Sequence, residues 1–343
     1  MSRTQDNVLE KPNVATKETL VEPGTHNSAC PLCGGAKVFE FMTAPDRFHL
    51  RQEVYRLWRC STCSCVWQDS PPKPDEMGIH YDEDYHKAIM AGGETSPPSR
   101  WRTHRDIISR NKQGGAILDI GCSSGGFLGT MKGPSWKLYG IDMETSTAEK
   151  ARAATGAEVF VGDVMEAPFP SESFDVITAF DLLEHVYQPR EFLGKVLEWL
   201  KPGGIFFTML PNIDSWESRI FGSYWYGLEL PRHLFHFSPK SLRHVMVALG
   251  FQEVALSTPP VTYVERSVGY VYSEALQRVG FSPVSAAKAT PRSFPWRALR
   301  KAMQLTLVEP AGRIASIAGA GPSIAAVFRK APLPEGPGRE RRN

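Results

Sequence analysis

The run Gly115-Ala116-Ile117-Leu118-Asp119-Ile120-Gly121-Cys122-Ser123-Ser124-Gly125-Gly126-Phe127-Leu128 carries an apolar strand into a glycine-rich turn that opens a helix, with an acid near the strand's end. Gly121 and Gly125 let the backbone pass close to a ligand with no Cβ in the way, and a helix starting at about Gly125 points free N–H groups at it. The spacing Gly121-x-Ser123-x-x-Gly126 is a degraded form of a dinucleotide fingerprint, so the glycines alone say little. Asp119 says more, because a carboxylate is misplaced beside two phosphates but well placed beside an ammonium group.

The next strand, Trp136 to Asp142, ends in an acid 23 positions after Asp119, the distance at which a second strand presents a carboxylate to ribose hydroxyls. A short strand from Ala157 to Val161 leads into Gly162-Asp163-Val164, where an Asp side chain and the following N–H can read a base edge. Phe174 to Asp181 reads as a fully buried strand, followed by Leu182-Leu183-Glu184-His185-Val186. Lys201-Pro202-Gly203-Gly204 closes a helix ahead of the strand Ile205 to Leu210.

In this order the motifs resemble the class I S-adenosylmethionine (SAM)-dependent methyltransferases, particularly the ubiquinone-biosynthesis-like branch acting on small molecules. The likeness covers roughly residues 115 to 260. It implies an α/β, Rossmann-like, seven-stranded SAM-binding domain. By the same resemblance Asp119 lies near the methionine ammonium, Gly121, Cys122 and Gly125 line the methionine portion, and Asp142 holds the ribose. Asp163 and Val164 then contact adenine and Phe180 flanks the cofactor. Ser123 departs from the family, which often has Gly there.

Upstream, Cys30-Pro31-Leu32-Cys33 and Cys60-Ser61-Thr62-Cys63 form two C-x2-C knuckles separated by 26 residues. Four thiolates so spaced suit tetrahedral structural zinc held by Cys30, Cys33, Cys60 and Cys63, with Cys65 as a possible replacement for Cys63. Short alternating strands around Phe39-Glu40-Phe41 and Val54 to Arg59 give a zinc-ribbon layout. Disulfides are the competing reading, but the sequence opens Met-Ser-Arg-Thr-Gln-Asp-Asn without an apolar signal segment, so a reducing, cytoplasmic setting is expected. A closed four-cysteine site serves folding or substrate orientation and not catalysis.

The 343 residues accommodate a large α/β domain plus a small module. The composition divides the chain into a disordered leader (1–27), the ribbon (28–70), a linker and helical cover (71–110), the SAM-binding core (111–259), a helical insertion placed to cap the substrate (260–320), a last core strand (321–331) and a tail (332–343). The linker starts in the proline-rich stretch 70–79, and the last strand reads Ser323 to Lys330. No apolar run is long enough for a transmembrane helix, although 292–308 mixes aromatic, aliphatic and basic residues that could lie on an anionic membrane surface.

Beyond the fifth strand, Phe221 to Pro239 is an aromatic loop with two histidines, suited to an organic acceptor. Its Pro231-Arg232-His233-Leu234 run also resembles a recurring element of this methyltransferase branch. His233 is the candidate catalytic base, ahead of His236 and His185. The sequence therefore predicts methyl transfer to a small organic acceptor, with oxygen favoured over carbon or nitrogen. A ribosomal RNA methyltransferase that uses the ribbon on RNA is the runner-up. The balance of 39 basic to 37 acidic residues, net charge +2, argues against a nucleic-acid partner, as does the ease with which Arg47, Arg51, Arg56 and Arg59 fit a solvated strand face. The third reading, a non-catalytic zinc-dependent interaction protein, is opposed by Asp119, Asp142 and Asp163 occurring together. The sequence is silent on oligomeric state.

Overall fold

A computed structural model describes residues 29–331 apart from residues 50, 52 and 84 and the segments 86–97 and 281–300. The leader, the tail, and the parts of the cover and insertion expected at 86–97 and 281–300 lie outside the described residues. So does most of the basic stretch of the 292–308 segment.

Two sheets organise the chain. The first carries β1 (Val38–Pro45), β2 (Val54–Cys60) and β3 (Val66–Gln68). After a short helix, α1 (Pro74–Met77), a second helix, α2 (Pro98–Asn111), leads into the larger sheet. That sheet begins with β4 (Gly115–Ile120), α3 (Gly126–Thr130), β5 (Trp136–Asp142), α4 (Thr145–Thr155) and β6 (Glu158–Val161). It continues through β7 (Phe174–Phe180), α5 (Pro189–Trp199) and β8 (Leu200–Pro211). Then come α6 (Trp216–Phe221), β9 (Phe235–His236), α7 (Pro239–Ala248), β10 (Phe251–Ser257), α8 (Val264–Arg278), α9 (Glu309–Ile317) and β11 (Ser323–Lys330).

The seven strands run in the order β10-β11-β8-β7-β4-β5-β6. β4 to β8 are parallel and β11 inserts antiparallel between β8 and β10, so this is the α/β, seven-stranded, Rossmann-like sheet expected. From β4 the chain winds outward to β5 and β6, then returns to the other side of β4 as β7. The switch of direction opens a crevice at the carboxyl ends of β4 and β7, where ligands of open α/β sheets bind.

Strand alternation distributes side chains to the two faces of this sheet. Leu118, Ile177, Ala179 and Phe206 enter one apolar cluster, whereas Ile117, Val176, Ile205 and Phe207 enter the other. α2, α3 and α4 cover the second face through Ile108, Phe127, Ala148 and Ala151.

The cysteine-bearing sheet is packed into the first face. Leu32, Trp58, Cys60, Cys63 and Trp67 belong to the same cluster as Leu118, Phe192 and Phe237. The small sheet has the order β1-β2-β3-β9, and its last strand comes from the aromatic loop: Val66 pairs with His236 and Trp67 with Phe235. Arg190 of α5 also donates to the Leu32 carbonyl at 2.8 Å. The other face of the small sheet closes on Trp225, Leu228 and Leu230 of that loop through Ala44, Leu57 and Val66.

Because Leu32 is fully buried in the joint core, Leu32→Ala is expected to cost about 2–5 kcal/mol of stability. Chemical denaturation followed by tryptophan fluorescence and far-ultraviolet circular dichroism should show one shared transition moved to lower denaturant. Separate transitions for ribbon and sheet would refute the common core.

Candidate active site

Asp119 sits one residue before the end of β4 and is 3 % exposed. Its register neighbour on β7 is Thr178, and the Thr178 hydroxyl donates to Asp119 Oδ1 at 2.6 Å. Burial, opposed by this hydrogen bond and assisted by the negative charge of Asp142, pushes the Asp119 carboxyl up to about 7. A cationic group arriving in the crevice would favour its ionised form.

The turn after β4 is shaped by close approaches. Gly125 has φ +81°, and a Cβ there would lie 2.8 Å from Thr155 Cγ2 and 3.1 Å from Ala151 Cα, so α4 could not pack against the turn with any larger residue. Gly121 has φ +75° and faces Leu182, which follows β7. Ser123, the family departure, adopts φ +46° and its N–H donates to Asp142 Oδ2 at 2.7 Å. Asp142 Oδ1 accepts from Glu144 N–H at 3.0 Å and from the Thr147 hydroxyl at 2.8 Å. The β5 carboxylate thus holds the β4 turn in place and keeps lone-pair capacity for a further donor. Cys122 is buried against Gly140, where a Cβ would lie 2.7 Å from its Sγ, and burial pushes its thiol up to about 12. That makes it a packing residue and a poor nucleophile.

Asp163 is exposed and caps the following turn, accepting from Met165 N–H at 2.8 Å. Val164 is half-buried beside it. Phe180 lies at the end of β7 with its ring edge-to-face against His104 (4.7 Å between centroids), Phe127 (5.0 Å) and Phe207 (5.1 Å). Trp101 and His104 of α2 complete this aromatic group, and Trp101 closes over the start of α3 at Gly126. Sequence reasoning assigned no role to Thr178, Trp101 or His104. The i, i+3 spacing of the two aromatic residues on one helix was the available signal.

The four predicted cysteine sulfurs converge. Cys30 Sγ is 3.7 Å from Cys63 Sγ and Cys33 Sγ is 3.6 Å from Cys60 Sγ, with all four within 4.8 Å of one another. A zinc–sulfur bond of about 2.3 Å in tetrahedral geometry requires sulfurs about 3.8 Å apart, so the set has the dimensions of such a site. Cys65 is not among the four; its Sγ points to the Val66 carbonyl at 3.5 Å.

His233 is 4 % exposed, with Nδ1 on the Gly227 carbonyl at 2.9 Å and its ring edge-to-face with His185 at 4.6 Å. His236 is buried beside it, with Nε2 on the Leu228 carbonyl at 3.0 Å. Burial lowers the pKa of all three histidines, keeping the imidazoles neutral. Arg232, 1 % exposed, is wedged between Glu229 (3.4 Å) and Asp46 (3.8 Å) and lies over the Tyr85 ring at 4.7 Å. Residues 44–48 of the ribbon, Ser223 to Arg232 and Tyr270 of α8 enclose a small cleft here.

Residues 98–256 match the family described as a methyltransferase domain. This part, just under half of the chain, is a SAM-dependent methyltransferase domain, and the cysteine-bearing sheet precedes it. A "probable S-adenosylmethionine-dependent methyltransferase" of Mycolicibacterium smegmatis is 26% identical over 159 residues, which is 44% of this chain and 59% of that protein. A ubiquinone biosynthesis O-methyltransferase of Thiobacillus denitrificans is 28% identical over 48% of this chain and 72% of its own length. A demethylmenaquinone methyltransferase of Symbiobacterium thermophilum is 24% identical over 61% of this chain and 86% of its own length. The chain thus spans about three-fifths of the mycobacterial relative.

A ligand bearing an ammonium beside Asp119 will bind with a pH dependence that follows this carboxyl. S-adenosylhomocysteine affinity should hold above about pH 7 and fall by up to about tenfold per unit below it, because protonation removes the attracting charge. Thr178→Val removes a bond that stabilises the carboxylate, so the midpoint should move to higher pH. Calorimetry across the range checks both; a flat profile in the wild type would contradict the placement of the ammonium.

Proposed function

We propose that the chain transfers the methyl group of SAM to a small organic acceptor, at oxygen. The observation that carries this reading is the pair of carboxylates at the ends of β4 and β5, with the intervening turn tied to Asp142 by the Ser123 N–H and closed at Gly125, where a Cβ would clash with α4. Asp119 would meet the methionine ammonium and Gly121, Cys122 and Gly125 the methionine chain. Asp142 would hold the ribose, Asp163 and Val164 the adenine, and Phe180 one side of the cofactor. The residues fit the cofactor because the buried Asp119 has no cationic partner among the described residues, and the cofactor would supply both that cation and an electrophilic methyl.

The acceptor would enter through the cleft between ribbon, aromatic loop and α8; the neutral His233 does not line it but lies behind Glu229, 3.7 Å away. Similarity to the ubiquinone O-methyltransferase supports a small acceptor and oxygen as the methylated atom. The ribbon's arginines support it too, since each is engaged within the chain. Arg47 pairs with Glu274 at 2.5 Å, Arg51 donates to the Ile79 carbonyl at 3.2 Å, Arg56 meets Glu40 at 3.5 Å and Arg59 meets Asp214 at 2.6 Å. Little of that charge remains for a phosphate backbone.

Cys30, Cys33, Cys60 and Cys63 would hold structural zinc. With all four positions filled by protein the ion has no open site. Its place in this protein is to fix β2 and the knuckles, and through β3 and β9 the wall of the acceptor cleft. No helix among the described residues is long and apolar enough to cross a membrane.

Titration with S-adenosylhomocysteine should give micromolar binding. Asp142→Ala should weaken it about ten- to a hundredfold, the loss expected for one or two hydrogen bonds to a charged group. Absence of binding by the wild type would remove the proposal. Separately, Cys60→Ser should lower bound zinc by one ion per chain; unchanged zinc would take Cys60 out of the ligand set.

A further inference from the structure

Glu184, His185 and His233 form a second cluster in which each residue offers one ligand atom, all three atoms lying within 4.8 Å of one another. Glu184 is 2 % exposed, and among the described residues no group of another residue donates a hydrogen bond to either of its carboxylate oxygens. A buried carboxylate is rarely left in that condition, because an unpaired charge in the interior is strongly disfavoured. Its neighbours worsen the imbalance, since Asp181 and Glu229 both act on it as like charges.

The two histidines are set up as metal ligands are. His185 Nδ1 lies 3.0 Å from the Arg232 carbonyl and His233 Nδ1 2.9 Å from the Gly227 carbonyl. A carbonyl only accepts, so a proton on Nδ1 satisfies each ring, with the Tyr81 hydroxyl 3.1 Å from His185 Nδ1 as a further acceptor, and leaves the Nε2 lone pair. Backbone carbonyls fix the tautomer of metal-bound imidazoles in the same way. Glu229 Oε2 stands 3.7 Å from His233 Nε2, which sets a second acceptor against that lone pair with no proton between them. A cation resolves both conflicts.

A third cluster, Asp46, His49 and His80, differs in that its carboxylate is already satisfied. Asp46 already accepts from the N–H groups of Phe48 (3.0 Å) and His49 (3.1 Å) and lies 2.9 Å from His49 Nδ1, and the Arg232 guanidinium supplies positive charge at 3.8 Å. The ring nitrogens left over there, His49 Nε2 and His80 Nδ1, make no hydrogen bond among the described residues but face Asp82 at 3.1 Å and Asp46 at 3.4 Å.

We infer that Glu184, His185 and His233 bind a divalent first-row transition metal ion through one carboxylate oxygen and two imidazole nitrogens. Three protein ligands leave coordination positions open, unlike the four-cysteine site. The location gives those positions a use. Glu184 follows Leu182, which faces Gly121 of the cofactor turn, and its carbonyl accepts from Leu234 N–H at 2.8 Å on the acceptor side. Resting on the methyltransferase reading, the ion would bind the acceptor's hydroxyl oxygen, whose proton leaves to solvent on coordination. The oxygen lone pair then forms the O–C bond as the C–S bond of the sulfonium breaks, giving the methyl ether and neutral S-adenosylhomocysteine. His233 in this arrangement acts on the acceptor through the metal.

The full-length chain, treated with chelator until one zinc per chain remains, is titrated with cobalt(II). One further cobalt should bind, with d–d absorption and no thiolate charge-transfer band. Glu184→Gln should weaken that cobalt by more than the about 10- to 100-fold typical of removing an outer-shell partner, and leave the retained zinc in place. S-adenosylhomocysteine binding measured on each sample reports whether the fold and the cofactor site are intact, so failure of the methyltransferase reading is seen independently of the metal. No bound cobalt, a bound cobalt with thiolate bands, or unchanged affinity in a folded Glu184→Gln protein would each overturn the inference. Should that variant not fold, the wild-type stoichiometry and spectrum decide.

Discussion

The placing of the loop from Phe221 to Pro239 depends on one backbone pairing, that of β3 with β9. It is only two residue pairs long, yet it joins segments separated by most of the methyltransferase domain. By doing so it makes the cysteine-bearing sheet continuous with the loop that carries Arg232, His233 and His236. The apolar faces of the small sheet are then claimed twice, once by the core under β4 and β7 and once by Trp225, Leu228 and Leu230. A ribbon alone could not bury residues such as Trp58 and Trp67; against this loop it can.

The cofactor half was legible because its information is local. Apolar runs of strand length, glycines at the turn and acids at the ends of β4 and β5 all lie within one strand–turn–helix unit or the next, so spacing alone brings them to one edge of a parallel sheet. The helix from Pro239 was equally readable, since Ser238 caps it and accepts from Ser241 N–H at 3.1 Å, as the Ser-Pro-x-Ser pattern implies. The strand Ser323–Lys330 could be read from its apolar run, but its antiparallel place beside β8 could not. The four cysteines were legible for the same reason, since each knuckle sets its own pair.

What stayed hidden is arranged through space. Thr178 reaches Asp119 because β7 happens to be in register with β4, which no local pattern records. The Glu184, His185 and His233 cluster joins a turn after β7 to a loop some fifty positions later. His233 could be singled out by sequence as reactive, but its Nδ1 partner, its burial and the unpaired Glu184 beside it depend on how the loop folds back. Arg232 is the sharpest case: a guanidinium in a loop reads as solvent-facing, and here it is enclosed by two carboxylates and two aromatic rings. Its charge is needed because Glu229 and Asp46 would otherwise be buried without compensation.

The pairing of β3 with β9 also sets a schedule. During synthesis the ribbon strands emerge early, and β3 presents an open edge until residues 235 and 236 leave the ribosome. At about 5–20 residues per second that interval is on the order of ten to thirty seconds. Over this time an apolar, β-competent edge containing Val66 and Trp67 is exposed to other nascent chains. Early capture of a metal by the cysteine knuckles would hold the three short strands in a defined shape while they wait, giving the ion a task in biogenesis that ends before the first acceptor is bound.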